Sequence, residues 1–201
     1  LGDQLRVYVV SDVDHDLPDY AETVLFPIER LPVVNGEPRF SLSMTKNAGI
    51  QQAIDDGAGV IICTDVDIAY GWKSINRMVA VEHTRAVIPI YLMSASFRLR
   101  FAGRQDHGCT GTIGMTAANW ERVQFDERCV GYGGEDGILL RAIERAGIDV
   151  ARDCEVAHIA HVPGDGVRIP GRGAATCWGR MDGFNFENAR YNLRFHRRSH
   201  K

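Results

Sequence analysis

Residues 59–67 read Gly-Val-Ile-Ile-Cys-Thr-Asp-Val-Asp, an apolar run that stops on two carboxylates. The run has no polar alternation, which is typical of a strand buried on both faces of a parallel sheet. Residues i and i+2 of an extended chain point to the same side, so Asp65 and Asp67 can converge on one ligand. Open α/β sheets bind ligands beyond the carboxyl ends of such strands. The stretch therefore predicts a ligand site at these two aspartates.

Two hard oxygen donors in this position favour Mg²⁺ or Mn²⁺ carrying phosphate oxygens. The simpler alternative for any aspartate pair is a solvated turn. Asp12, Asp14 and Asp16 repeat the same spacing near the start of the sequence, and nothing requires both sets to be metal sites. Two features favour the ligand site over the turn: the apolar strand directly before Asp65 and a second acidic cluster further along the chain.

Composition predicts one globular domain over residues 1–201, large enough to bury a substantial core. A formal net charge of −3 gives no strong field towards nucleic acid or anionic membrane. No segment approaches the roughly 20 apolar residues of a membrane span, and the first residues do not read as a signal peptide. Five widely spaced cysteines without a C-x-x-C pair argue against a disulfide framework or zinc ribbon and predict a reduced, cytoplasmic setting.

Periodicity and turn signals along the chain alternate between strand and helix. They predict strands at 5–10, 23–28, 86–93 and 154–162, and helices at 45–56, 72–83, 117–122 and 135–146. The expected fold class is α/β, with a mostly parallel central sheet flanked by helices. Residues 163–183 contain six glycines and two prolines, the composition of a flexible loop or lid. Residues 185–201 are expected to form a helix with a basic tail.

Two segments before the aspartate pair supply candidate ligand contacts. The polar loop after the first strand could hold a nucleobase or ribose through Ser11 and Asp12, and a solvated acidic turn is the equal alternative. Thr45 is the expected N-cap of the helix that leads into the 59–67 strand. Lys46 would then lie in the first turn near the ligand edge and could meet a phosphate, whereas a merely solvated lysine is the alternative.

The second acidic cluster is Gly131-Tyr132-Gly133-Gly134-Glu135-Asp136. Its glycines allow backbone to approach a ligand closely or to adopt positive φ. Acidic residues are also favoured at helix amino termini by the macrodipole, which would explain one of the two carboxylates without any function. Further on, His158 and His161 lie in a strand-like run, where a histidine either packs in the core or completes a metal sphere.

In this order and spacing, the motifs resemble the GT-A nucleotide-sugar glycosyltransferases. The similar groups are the β-1,4-galactosyltransferase type and the polypeptide N-acetylgalactosaminyltransferases, which carry a D-x-D motif, a W-G-G-E or G-W-G-G-E-D segment and a later histidine ligand. Residues 45–50, Thr-Lys-Asn-Ala-Gly-Ile, also resemble the N-x-G helix before their D-x-D strand. The resemblance covers about residues 41–162. It departs at Tyr132, where the family usually has tryptophan, and at Gly137, where many relatives have an acid.

The resemblance implies a single GT-A-like, Rossmann-like domain that binds a UDP-sugar and Mn²⁺ or Mg²⁺. Asp67 would bind the metal directly, and Asp65 would bind the metal or the ribose. His158 would be the third ligand, with His161 as its competitor. The donor would also be contacted by Lys46, Asn47, Gly133 and Gly134.

The resemblance also implies transfer of the sugar to an acceptor hydroxyl. Asp136 would be the catalytic base, which leans to inversion, and Glu135 would hold the acceptor. The acceptor could be a glycan, a protein side chain or a modified nucleic-acid base, and the short chain suggests a bacterial or phage version. Two alternatives stay open: a nucleotidyltransferase or other phosphoryl-transfer enzyme that adds Asp12 to the aspartate pair, and a non-catalytic nucleotide-sugar-binding module.

Overall fold

Helices and short strands both occur throughout the described part of the chain, which confirms a mixed α/β composition. The computed structural model describes residues 5–11, 14, 16–31, 33–34, 37–38, 41–65, 68–94, 101–105, 111–129 and 134–158. The predicted lid at 163–183 and the predicted helix and tail at 185–201 lie outside these residues. The single-domain organisation over residues 1–201 stays a prediction.

The described elements are short, and the longest is a helix of 14 residues. The strands are β1 (Val7–Ser11), β2 (Ala21–Leu25), β3 (Val33–Val34), β4 (Glu37–Pro38), β5 (Val60–Cys63), β6 (Ile68–Tyr70), β7 (Arg85–Val87), β8 (Ile90–Ser94), β9 (Phe101–Gln105), β10 (Ile113–Thr116), β11 (Asp149–Ala151) and β12 (Glu155–His158). The helices are α1 (Leu42–Asp55), α2 (Trp72–Val79), α3 (Ala117–Arg122) and α4 (Glu135–Arg145). Among these helices, none is both long enough and apolar enough to cross a bilayer.

The described strands pair in mixed directions. One four-stranded sheet has the order β11-β7-β10-β5, another has the order β6-β12-β8-β9, and β1-β2 and β3-β4 form two-stranded sheets. The pairs β1-β2, β11-β7 and β12-β8 are parallel, and the other described pairs are antiparallel. The described strands therefore do not show the mostly parallel central sheet that the sequence predicted.

Strand β5 illustrates why the direction was predicted wrongly. It pairs antiparallel with β10, so that Ile61 lies opposite Met115. Ile61 and Cys63 belong to the main core, while Val60 and Ile62 pack against a smaller apolar cluster around Met78 of α2. Both faces of the strand are therefore covered, as the apolar run indicated. An apolar run reports that coverage but carries no signal for the direction of the neighbouring strand.

Helix α1 begins three residues earlier than predicted. Its N-cap is Ser41, whose hydroxyl accepts a hydrogen bond from the backbone N–H of Met44 at 3.3 Å. Thr45 instead lies inside the first turn, where its hydroxyl donates to the carbonyl of Leu42 at 3.0 Å. The Ser41 hydroxyl also donates to the carbonyl of Cys129 at 2.9 Å, so the start of α1 is fixed to the segment that leads to α4.

A buried tryptophan ties β5 to the second half of the chain. Trp120 of α3 is fully buried, and its indole N–H donates to the carbonyl of Ile61 at 3.1 Å. Its ring stacks on that of Phe125, with ring centroids 6.1 Å apart. Because Phe125 belongs to the segment between α3 and α4, this contact helps to bring α4 towards the carboxyl end of β5.

Strand β1 lies close against α1 at a glycine. A Cβ added to Gly49 would lie 2.7 Å from Cγ2 of Val10, a distance that real Cβ atoms do not tolerate. At the end of the helix, the Tyr8 hydroxyl donates to the Asp56 carboxylate at 2.7 Å. A small residue at position 49 is therefore required for β1 to pack on this helix.

We expect Gly49→Ala to destabilise the protein although alanine is the better helix former. The gain in helix propensity is about 1 kcal/mol, whereas overpacking against a β-branched side chain with restricted χ1 costs about 1–3 kcal/mol. The free energy of unfolding measured in urea should fall, and this loss should disappear when Gly49→Ala is made in a Val10→Ala background.

Gly137→Ala in α4 is the matched control, because the nearest atom to its added Cβ is Nη1 of Arg141 at 3.9 Å. This substitution should stabilise the protein by about 1 kcal/mol through helix propensity. Stabilisation of similar size at both glycines would contradict the close β1–α1 packing.

Candidate functional site

Three charged side chains from different elements converge at the carboxyl end of β5. The Nζ atom of Lys46, in α1, lies 2.9 Å from Oδ1 of Asp65, two residues beyond the strand. Asp136, in the first turn of α4, is close enough for its carboxyl pKa to respond to the charges of both. The structure thus brings together three of the predicted site residues.

Lys46 is buried inside this cluster and is only 8% exposed. Besides Asp65, its ammonium donates to the carbonyl of Gly111 at 3.2 Å and lies 5.3 Å from the ring centroid of Phe125. A buried ammonium needs such partners, because the loss of its hydration is otherwise very costly. The alternative of a merely solvated lysine at this position is therefore wrong.

The charges around Lys46 keep it protonated. Burial by itself would lower the pKa of the ammonium, but the acidic groups of Cys63, Asp136 and Asp65 outweigh burial and raise that pKa. Cys63 contributes only at high pH, because burial raises the pKa of its thiol to about 12. The two aspartates are therefore the acidic groups around the lysine that act on its pKa below that range.

Asp65 is held from its other side by a glycine. Its carboxylate lies so close to Cα of Gly111 that an added Cβ would collide with Oδ2 and Cγ of Asp65. The side chain still keeps 26% of its surface exposed, so a ligand can reach part of it. The Asp65 carboxylate is therefore fixed by Lys46 and Gly111 together and remains accessible.

Asp136 has the chemistry of an unused acceptor. Its Oδ1 atom is buried and has no hydrogen-bond partner among the described residues. Burial raises the pKa of this carboxyl; Lys46 opposes that rise and Asp65 adds to it. Buried polar atoms are nearly always satisfied, and exceptions concentrate at sites that bind or react. A hydroxyl donor from a ligand would satisfy Asp136.

The turn before α4 separates the two acidic residues of the second cluster. Gly134 is the helix N-cap and has φ of 88°, a left-handed conformation that glycine adopts without strain. Successive helical residues point about 100° apart, so Glu135 and Asp136 diverge. Glu135 is 2% exposed, and its charge helps to raise the pKa of Cys129, after burial and Asp126. Because so little of its surface is exposed, Glu135 offers little area for the acceptor contact that the resemblance implies.

Asn47 has a structural task in this conformation. Its amide nitrogen donates to the carbonyl of Phe125 at 2.9 Å and to Glu127 at 3.1 Å, and its Oδ1 accepts from the backbone N–H of Phe125 at 3.0 Å. Both ends of the carboxamide are thus used to hold the segment before α4. This geometry gives no support to the predicted donor contact at Asn47.

The predicted metal ligands are only partly described. Asp67 and His161 lie outside the described residues. Gly133, which was predicted to contact the donor, also lies outside them. His158 ends β12, and its ring lies 5.9 Å from that of Tyr91. Within the described part of the chain, no three histidine, cysteine, aspartate or glutamate side chains are grouped as metal ligands. Asp65 has suitable donor chemistry and an exposed edge, but a complete ligand set would need residues from outside this part.

The predicted nucleoside contacts lie at the end of β1. Ser11 is the last residue of that strand, and its carbonyl accepts a hydrogen bond from the N–H of Phe26 at 2.8 Å. Asp12 lies outside the described residues. The role of this pair in binding a nucleoside stays a prediction.

The sequence did not identify Gly111 and Thr112, which contact residues 64 and 65. Gly111 and Thr112 precede β10, and neither was among the predicted site residues. The available signal was a glycine directly before a β-branched strand, which often marks a close approach to another part of the chain. Nothing in the sequence identifies Asp65 as the group that approaches.

A cavity of about 170 Å³ lies elsewhere on α1. Arg30, Gln51 and Glu127 contribute to its lining, whereas Lys46, Asp65 and Asp136 do not. None of the polar side chains that line this cavity has a buried atom without a hydrogen-bond partner. The charged cluster is therefore the stronger candidate site. A comparison with protein-family models finds no match to this chain, and a comparison with curated proteins finds none either.

We expect Gly111→Ala to disrupt the site. The new methyl group would displace the Asp65 carboxylate and weaken its pairing with Lys46, and overpacking of this kind costs about 1–3 kcal/mol. The free energy of unfolding in urea should fall by that amount. Gly59→Ala is the matched control, because its added Cβ meets no atom within 4 Å. Equal and small effects of the two substitutions would contradict the contact.

Proposed function

We propose that this chain is a metal-dependent glycosyltransferase that moves a sugar from a nucleotide sugar, UDP-linked in the groups it resembles, to an acceptor hydroxyl. The observation that carries this proposal is the Oδ1 atom of Asp136, which is buried beside the Lys46–Asp65 pair and has no hydrogen-bond partner in the part of the chain that the structure describes. The acidic helix terminus alone would be explained by the macrodipole, but a solvated cap would not leave this oxygen buried without a donor.

The chemistry of sugar transfer requires a group like Asp136. The acceptor hydroxyl must lose its proton as it attacks the anomeric carbon, so a carboxylate within about 3 Å must accept that proton. The raised pKa of Asp136 makes it a stronger base than an ordinary aspartate. Lys46 limits that rise, and so keeps the carboxyl ionised over more of the pH range. Attack assisted by a base on the acceptor side inverts the anomeric centre.

Residues at the end of β5 would bind the donor side. Asp65 has an exposed edge, and the register of β12 and β6 places His158 opposite Ile68, the residue that follows Asp67. Asp65, Asp67 and one of His158 and His161 would hold Mn²⁺ or Mg²⁺, which when bound stabilises negative charge on a diphosphate leaving group. Lys46 then fixes the orientation of Asp65 and balances its charge before any ligand arrives.

The order of elements supports a GT-A-like arrangement for this activity. Helix α1, strand β5, helix α4 and strand β12 follow one another in the order of the N-x-G, D-x-D, G-G-E-D and histidine motifs. The charged residues of the first three meet at one end of β5. A mostly parallel central sheet would have to be completed by strand pairs beyond those described.

Incubation with UDP-glucose, UDP-galactose, UDP-N-acetylglucosamine and UDP-N-acetylgalactosamine tests the proposal. With Mn²⁺ and a panel of saccharide acceptors, we expect one donor to release UDP together with a glycosylated product detected by mass spectrometry. EDTA should abolish the reaction, and Mn²⁺ should restore it. Release of pyrophosphate from nucleoside triphosphates, without sugar transfer, would instead indicate a nucleotidyltransferase. Binding without turnover would indicate a non-catalytic module.

We expect Asp136→Asn to lower kcat by about 10²–10⁴-fold, the usual contribution of a general base, while the donor still binds. The same substitution should raise the Tm by a few degrees. The folded state binds the Asp136 proton more tightly than the unfolded chain, so ionisation of this group costs stability as pH rises through its raised pKa. A neutral amide removes that cost at neutral pH.

Asp149→Asn is the matched control, because Asp149 is exposed at the start of β11. It should change neither kcat nor Tm. Near-normal turnover in the Asp136→Asn variant would refute the assignment of the base. A lower Tm would show that the Asp136 carboxylate has stabilising partners in the folded protein.

A further inference from the structure

We propose that Thr112 is a positioning residue for Asp65. The part of this inference that concerns the reaction rests on the proposed function, whereas the part that concerns the backbone at residues 64–65 does not. Thr112 directly follows Gly111, which contacts the Asp65 carboxylate, and directly precedes β10. Its side chain is fully buried.

Thr112 is the centre of a cluster of hydroxyl groups. Its Oγ1 lies 3.0 Å from Oγ1 of Thr64 and 2.9 Å from the hydroxyl of Tyr91 in β8. The hydroxyl of Tyr70, in β6, donates to Thr64 Oγ1. The Thr64 hydroxyl in turn donates to the backbone carbonyl of Asp65 at 3.1 Å.

Only one direction of donation lets all four hydrogen bonds exist together. A threonine hydroxyl has a single proton and two acceptor lone pairs. If Thr64 donates to the Asp65 carbonyl, Thr112 must donate to Thr64, and Tyr91 must donate to Thr112. Thr64 then accepts from both Tyr70 and Thr112. The chain of donors therefore runs from the buried Tyr91 to the backbone of the candidate site.

This cluster acts where the β ladder has ended. The last pair between β5 and β10 joins Cys63 to Ile113, so Thr64 and Asp65 lie beyond it. The Thr112 hydroxyl continues the attachment of β5 to β10 by one more residue through side chains. Gly111 continues it again through its contact with Asp65. The Gly111-Thr112 pair thus sets both the backbone and the carboxylate of Asp65.

A purely structural role is the competing explanation, because the cluster also joins β8 and β6 to the β5–β10 sheet. In that case, loss of the Thr112 hydroxyl would lower stability without a specific effect at residues 64–65. The two explanations differ in where backbone motion changes and in whether kcat per folded molecule changes.

The test compares Thr112→Val, which keeps the shape and removes the hydroxyl, with Thr112→Ser, which keeps the hydroxyl. Thr116→Val is the matched control in the same neighbourhood. Thr116 is a buried threonine at the other end of β10, and its hydroxyl caps α3 by accepting from the N–H of Asn119 at 3.3 Å. Its loss should lower stability without affecting residues 64–65.

Conformational exchange of the backbone at residues 64–65, measured by NMR relaxation dispersion without any ligand, is the first readout. Thr112→Val should add exchange at residues 64–65 beyond any change in the core, Thr112→Ser should keep the wild-type behaviour, and Thr116→Val should leave residues 64–65 unchanged. Wild-type exchange in Thr112→Val, or equal added exchange in Thr112→Ser, would overturn the positioning role.

The second readout is kcat with the UDP-sugar that supports turnover, corrected for the folded fraction. Misplacement of a reacting group costs roughly 10- to 100-fold, so kcat should fall by that factor in Thr112→Val and recover in Thr112→Ser. Wild-type kcat in Thr112→Val would overturn the inference for the reaction. Absence of turnover in the wild-type protein with every nucleotide sugar would refute the proposed function instead, and the exchange experiment would still decide the role of Thr112.

Discussion

The ion pair between Lys46 and Asp65 joins the helix before β5 to the residues after it. An ammonium removed from water is very unfavourable unless anions and carbonyl groups surround it, so its position is fixed by the partners that it needs. Here those partners come from Asp65, from the carbonyl of Gly111 and from the ring of Phe125. The arrangement of α1, β5 and the segments around them therefore depends on one charge.

That charge also determines what Asp136 can do. Burial with no positive neighbour would raise the pKa of the carboxyl further and leave less of it ionised to accept a proton. Burial raises the pKa of Asp136, Lys46 lowers it and Asp65 raises it again. The ionisation of Asp136 therefore depends on one residue of α1 and one that follows β5, as well as on burial. A buried acceptor with no donor among the residues that the structure describes is unfavourable for folding and suited to reaction, and natural proteins accept such conflicts at functional sites.

Several features of this arrangement were open to prediction. The apolar run before Asp65 indicated a covered strand, and the Gly-Gly-Glu-Asp segment indicated a glycine turn into a helix; α4 begins at Glu135, as predicted. Lys46 was expected near the ligand edge, and its charged partner there is Asp65. The direction of the strand beside β5 and the N-cap of α1 were predicted wrongly. Pairing direction and capping depend on residues far away in the chain, here β10 for the strand and Cys129 for the fixed position of Ser41.

The sequence by itself determined the local chemistry: where an apolar strand ends on carboxylates, where glycines permit a turn, and where an acidic helix begins. These follow from side-chain volume, polarity and backbone freedom over a few residues. Only the tertiary structure decided that Lys46 pairs with Asp65, that Asp136 shares their surroundings, and that Gly111 and Thr112 support them. Those relations join residues tens of positions apart, and their energies depend on burial and distance, which no local pattern records.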